Sequence, residues 1–273
     1  MWKHQILADM YSLHENTNYA EIFSNWQSKL SKLIKLLENS VGIYVGDVLP
    51  IEEASHALIG EEMKRSHFNL PFKITLFMYN YDLRCATLAI EYKYNKIIFF
   101  AGFAFCKDHN MWVIDDCFSY FDMKSEEWNI FEYIANIETI KKFVSLDTVE
   151  AQARSRTSHA VFIMDVLNCK NVQLSPVEPP GRLNRARAKK GKGPLYRYHV
   201  LTVDLNKAQK VAGSTSQGQF GIMPVHLCRG HFKEYTEDKP LFGRVTGRFW
   251  WQPYARGKAK NGVVMKDYDV RKA

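Results

Sequence analysis

The chain has almost no acid where it has most base. Arg182 to Val200, RLNRARAKKGKGPLYRYHV, holds seven Lys and Arg and no Asp or Glu. Residues 178–273 carry 20 Lys and Arg against 7 Asp and Glu, a net +13, while residues 1–177 carry 17 against 22, a net −5. A DNA mimic needs a carpet of carboxylates, so that class is excluded. A basic region of this kind meets a phosphate backbone, an acidic protein or an anionic surface.

Other things are scarce or missing. The five cysteines (Cys85, Cys106, Cys117, Cys169 and Cys228) form no CxxC pair. This predicts reduced, mostly buried thiols rather than a disulfide framework. No run approaches the roughly 18 apolar residues that span a bilayer. The opening MWKHQILADMYSLHENT has no apolar core followed by a small-residue cleavage site. These absences predict a cytoplasmic protein with no membrane partner. There is no GxSxG, Walker loop, GxGxxG or HExxH, so nothing points to a cofactor or a catalytic set.

What is there describes a folded chain. Of 273 residues, 46% are hydrophobic and 14% aromatic, enough for a substantial core. Tyr19 to Asn39 places Ile22, Phe23, Trp26, Leu30, Leu33, Leu36 and Leu37 on one helical face. Ile51 to His67 reads as a second helix. Four segments follow: FKITLFMYNY, CATLAIEYKY, KIIFFAGFAFC and MWVIDDCFSYF. They are rich in β-branched and aromatic residues, and their short polar connections predict an antiparallel meander. KSEEWNIFEYIANIETIKKFVS, residues 124–145, reads as a helix with Trp128, Phe131, Ile134, Ile137 and Ile140 inward. LDTVEAQARSRTSHAVFIMDVLNC reads as another, with Asp147 at its N-cap and its apolar second half buried. SPVEPPG interrupts regular structure, because its prolines donate no amide hydrogen bonds. LYRYHVLTVDL, RFWWQPYARG and GVVMKDYDV read as strands. The expectation is an α+β fold: N-terminal helices, a mainly antiparallel sheet, two central helices, and a basic strand-and-loop C-terminal region. The change of charge sign divides it into an acidic domain, 1–177, and a basic β-rich region, 178–273, packed on the first.

Two basic stretches carry the candidate site. Arg182, Arg185, Arg187, Lys189, Lys190 and Lys192 lie beside Gly191 and Gly193, on what reads as a flexible loop able to track phosphates. Arg229, His231, Lys233, Arg244, Arg248 and Arg256 are interleaved with Trp250, Trp251 and other rings. That mixture suits single-stranded nucleic acid, with charge for the backbone and faces for the bases. In an alternating strand, however, one of Trp250 and Trp251 must turn inward. Two other clusters have weaker claims. His226, Cys228 and His231 are metal-capable, but their spacing fits no zinc motif. Asp115 and Asp116, with Asp122, Glu126 and Glu127 beyond, could hold Mg²⁺ for phosphodiester chemistry, yet they match no nuclease pattern. No metal site is assigned.

LNRARAKKGKGPLYRYHVLTV, HLCRGHFKEY, PLFGRVTGRFWWQPYARG and GVVMKDYDV, in that order, resemble a family of bacteriophage- and prophage-encoded proteins of no established activity. The resemblance covers about Arg182 to Val270. Arg229, Gly230, His231, Trp251, Pro253, Arg256 and Gly257 occupy its motif positions. It implies a setting, a phage accessory protein for host takeover or counter-defence inside an infected bacterium, and carries over no catalytic residue. Three functions remain open at this point: binding of RNA or DNA, inhibition of an acidic host defence protein, and a metal-dependent phosphodiesterase using Asp115, Asp116 or His231. Ring-rich surface segments also allow self-association into a homo-oligomer.

Overall fold

The computed structural model describes residues 2–15, 26–46, 70–81, 83–92, 96–125, 127–134, 137–142, 144–203, 226–228, 231–241, 243–251 and 254–256. The expected helix over 51–67, the 19–25 part of the first and the strand over 262–270 lie outside these residues. The protein is α+β, as its patterning predicts. It divides into two compact units, Met1–Leu167 with Leu174–Thr202, and Asn168–Gln173 with Val203–Ala273. Residues 178–202, on the basic side of the charge boundary, therefore belong to the first unit.

The first unit is built on an eight-stranded sheet. Its strands are β1 (Val41–Gly46), β2 (Ile74–Asn80), β3 (Arg84–Tyr92), β4 (Ile97–Cys106), β5 (Met111–Asp122), β6 (Glu127–Tyr133), β7 (Val172–Val177) and β8 (Tyr198–Val203), in the order β6-β5-β4-β3-β2-β1-β8-β7. From β2 to β6 every pairing is antiparallel; β2 to β5 are the predicted meander, and β6 extends it. β1 joins β2 in parallel and β8 joins β1 in parallel.

Helices cover both faces of the meander. α1 (Lys3–Glu15) and α2 (Trp26–Asn39) pack on one side. Ile6, Leu7 and Met10 of α1 and Leu30, Leu33, Ile34 and Leu37 of α2 join Leu76, Met78, Leu88, Phe103 and Trp112 in one core. Each such side chain contributes about 1.5–3 kcal/mol relative to exposure. On the other side lies α4 (Leu146–Leu167), preceded by the single turn α3 (Ile137–Ile140). Burial on both faces explains why β2, β3 and β4 read as nearly continuous apolar runs rather than alternating ones. Residues His159 to Val166 of α4 are all buried, as their composition predicts.

Four expectations need correction. Residues 127–133 form β6 rather than a helix, pairing Cys117 with Tyr133 and Phe121 with Trp128. Trp128, Ile130 and Tyr133 pack against the cluster of Cys117, Val149 and Ala153, and an aromatic, β-branched segment gains more from that edge than from helical periodicity. The N-cap of α4 is Ser145, whose Oγ accepts the Thr148 N–H at 3.2 Å; Asp147 lies in the first turn, too late to cap. Pro176 sits inside β7, tolerated because β7 is an edge strand. The basic segment is not a flexible loop: Gly181–Ala188 is a helix, α5.

The second unit contains two hairpin-like pairs: β9 (His226–Cys228) with β12 (Tyr254–Arg256), and β10 (His231–Tyr235) with β11 (Gly247–Trp251). Asn171 fixes the free edge of β11. Its Nδ2 donates to the Trp250 carbonyl at 2.7 Å and its Oδ1 accepts the Trp250 N–H at 3.1 Å. The amide side chain thus copies a strand partner. Cys85, Cys106, Cys117 and Cys169 form no disulfide, and all but Cys106 are buried.

Candidate functional site

α5 contains no buried residue, so apolar packing does not hold it. Polar clamps and chain-reversal geometry do. The helix begins directly after Pro180 and ends with Arg185 and Arg187 in its last turn, next to the negative end of the helix dipole. Lys192 N–H donates to the Arg187 carbonyl and Gly191 N–H to the Ala188 carbonyl, each at 3.0 Å. Gly191 adopts φ +64°. This is the Schellman closure, which needs a residue free to enter the left-handed region. The returning chain is then locked. Asn184 Nδ2 donates to the Leu195 carbonyl at 3.0 Å, and the Leu195 N–H donates to Asn184 Oδ1 at 2.8 Å. Arg187 Nε donates across the turn to the Gly193 carbonyl at 2.8 Å.

The result is a cationic segment on a backbone fixed by hydrogen bonds. Arg182, Arg185 and Lys189 recur at helical steps of three and four, which sets them along one stripe about 10 Å long. All three are exposed, as are Lys190 and Lys192 on the turn, while Arg187 is half-buried. None of these six makes an ion pair among the described residues. The nearby acid Glu178 is engaged by Arg197 at 2.9 Å. Beneath the segment, Lys3 lies 4.4 Å from the Tyr196 ring centroid and donates to the carbonyls of Glu38 (3.0 Å) and Ser40 (2.6 Å). Burial pulls the Lys3 ammonium down to about 8, against the opposing pull of Glu38.

The second basic stretch is arranged differently. β10 and β11 place Phe232 opposite Trp250 and Lys233 opposite Phe249. Trp250 is 1% exposed and its ring centroid lies 4.7 Å from that of Phe232. It is a core residue, and its expected role as a ligand-facing ring is corrected. Trp251 is half-buried and His231 and Lys233 are exposed. Lys233 Nζ lies 5.4 Å from the Tyr235 ring and 5.6 Å from the Trp251 ring, and Arg248 lies 4.2 Å over Phe232. These cations already stack on their own strands' rings. Arg244 is exposed on the turn between the two strands. Arg229 lies outside the described residues, and Arg256 is described only by its backbone pairing with His226.

Asp115 is not open to a metal. It is buried under α4, its Oδ2 3.3 Å from Arg156 Nε, and Arg156 Nη1 reaches the Cys85 sulfur at 3.0 Å. Burial raises the Asp115 carboxyl above its ordinary value, while Arg156 opposes the rise. A Cβ on Gly102 would lie 1.8 Å from Asp115 Oδ2, so the glycine is the space this pair occupies. Removing either partner would strand a buried charge. Asp122 is spent on a turn, accepting the Lys124 N–H at 2.8 Å. Among the described residues no group of three His, Cys, Asp or Glu could hold a metal ion. Nor is any helix among them long and apolar enough to cross a membrane.

The clamps on α5 are not evident from the sequence, although KKGKGP carries a signal: a glycine closing a basic helix end is the Schellman pattern. Comparison with protein families, curated proteins and solved structures gave no match.

Proposed function

We propose that this protein binds nucleic acid, RNA or single-stranded DNA, through the α5 stripe and the turn that follows it. In the setting implied by the phage resemblance, it is an accessory protein acting on host or phage nucleic acid in the cytoplasm of an infected bacterium. One observation carries the reading: five exposed cations, Arg182, Arg185, Lys189, Lys190 and Lys192, on a segment held rigid by its own hydrogen bonds and with no ion-pair partner among the described residues. Fixed, unneutralised charge of this kind releases counterions when it meets phosphates, and little backbone freedom remains to be lost. Lys233, Arg244, Arg248 and Trp251 of the second unit add a weaker cation-and-ring surface for unstacked bases, since Lys233 and Arg248 already stack on the hairpin's own rings.

The test is fluorescence polarisation with a labelled single-stranded oligonucleotide. Affinity should fall steeply between about 50 and 200 mM salt. No binding at the low end overturns the reading. In that case a partner retained from nuclease-treated host lysate would favour docking on an acidic protein instead.

A further inference from the structure

A cleft of 510 Å³ opens in the first unit between α1, the β4–β5 turn and the inner side of the α5 segment. Its size falls within the range of small-ligand sites. Its lining has three kinds of chemistry in three places. Arg187 and Lys192 stand on one rim. Phe105, Pro194 and Tyr196 form apolar wall. Asp9, on α1, and Asn110, in the β4–β5 turn, supply polar groups.

Four of these groups are held in place before any ligand arrives. Arg187 spends its Nε on the Gly193 carbonyl, which leaves its two terminal nitrogens for an anion in fork geometry. Tyr196 rests on the Lys3 ammonium. Phe105 is fixed by Trp112, 5.7 Å between centroids, and by Arg84 at 5.4 Å. Asp9 accepts the Trp112 N–H through Oδ2 at 2.9 Å, leaving Oδ1 to accept a second hydrogen bond. Burial raises the Asp9 carboxyl above its ordinary value, and the Trp112 N–H opposes this.

We infer that this cleft receives a single nucleotide unit, its phosphate at Arg187 and Lys192, its base against the ring-lined wall, and a base N–H donated to Asp9. The inference rests on the nucleic-acid reading for its choice of ligand class. A continuous polyanion could lie along the outer α5 stripe without entering; a walled cleft with one cationic rim suits one unit. That unit is either a free nucleoside monophosphate or the 5′-phosphorylated end of a strand, and both present the same chemistry.

Calorimetric titration with GMP, AMP, CMP and UMP, together with polarisation of oligonucleotides of about ten residues bearing a 5′-phosphate or a 5′-hydroxyl, separates the two sources. At least one monophosphate should bind, and its nucleoside should bind about tenfold more weakly or worse. A 5′-phosphate preference assigns the strand end; monophosphate binding without it assigns the free nucleotide. Ala8 lines the cleft from α1 and is exposed. Gln5 lines it from the same helix and is also exposed. Ala8→Phe and Gln5→Phe therefore fill the cleft without changing charge and without touching the α5 turn. Each should abolish monophosphate binding or the 5′-phosphate preference and leave salt-dependent oligonucleotide binding within about twofold. Loss of oligonucleotide binding alone would break the α5 reading, not this one. The inference is overturned if no monophosphate binds and the two oligonucleotide ends are indistinguishable, or if both filled variants bind as the parent does.

Discussion

α5 and the β10/β11 hairpin are both rich in cations, yet they use them in opposite ways. On the hairpin, Lys233 and Arg248 lie over Tyr235, Trp251 and Phe232, so charge and ring already satisfy each other. On α5 the cations of the outer stripe have no ring and no acid partner among the described residues, and the segment's hydrogen bonds go to fixing the backbone beneath them. Charge density in a sequence therefore does not measure charge available to a ligand. Availability depends on what the cation does in the folded protein without the ligand. A binding event at the hairpin must first displace internal contacts worth about 0.5–1 kcal/mol each; one at α5 displaces water and counterions.

This contrast can be broken in order of expected effect. Replacing Arg182, Arg185 and Lys189 together by Ala should weaken oligonucleotide binding at low salt by about 30-fold or more. It should also lower the slope of log affinity against log salt by about 2, since single strands release roughly 0.7 counterions per neutralised phosphate. An unchanged slope would remove α5 from the interface. Next is stability of the second unit. Asn171→Ala leaves both backbone groups of buried Trp250 without their partner, so urea unfolding should show a loss of about 2–3 kcal/mol. Asn184→Ala removes the same kind of two-way clamp at a half-buried site. It should cost about 1 kcal/mol or less in stability and reduce oligonucleotide affinity about threefold by loosening the turn. Lys233→Ala and Arg248→Ala should each change affinity less than about threefold, because these cations are already stacked; a larger loss would place the hairpin ahead of α5.

The smallest effect is one of pH. Lys3 beneath the α5 segment has its pKa lowered to about 8 by burial, so the unfolded chain binds this proton more tightly than the folded one. The lysine therefore opposes folding most at and below pH 8, and its contribution to stability improves as pH rises from about 8 towards 10.5. Thermal unfolding over that window should show this rise in the parent and lack it in Lys3→Met.

Much of the fold is legible in the sequence because its signals are local. The leucine spacing of α2, the apolar runs of β2 to β5 and the short turns between them name their own elements. Where local signals conflict, tertiary pairing decides. Residues 127–133 have apolar positions that fit a helix, but the free edge of β5 makes them a strand. α1 goes unannounced although Ile6, Leu7 and Met10 occupy one helical face, because three apolar positions in a short terminal segment make a weak pattern until α2 and the sheet bury them. Of the candidate site, the cationic residues are visible and the hydrogen bonds that fix their backbone are not. Asn184 and Leu195 are eleven positions apart, and nothing in either residue announces the other. The choice between Trp250 and Trp251 is posed by strand alternation and answered by Phe232 and Asn171.

The sequence by itself determined the helical and strand segments with clear periodicity, the charge asymmetry and the basic composition of α5, since these depend on neighbours within a few residues. Only the tertiary structure decided that β8 lies beside β1, that Asp115 is locked to Arg156 in the space Gly102 leaves, and that the inner side of α5 walls a cleft. Each of these is a contact between side chains or backbones far apart along the chain, where burial and geometric fit, rather than local propensity, select the partner.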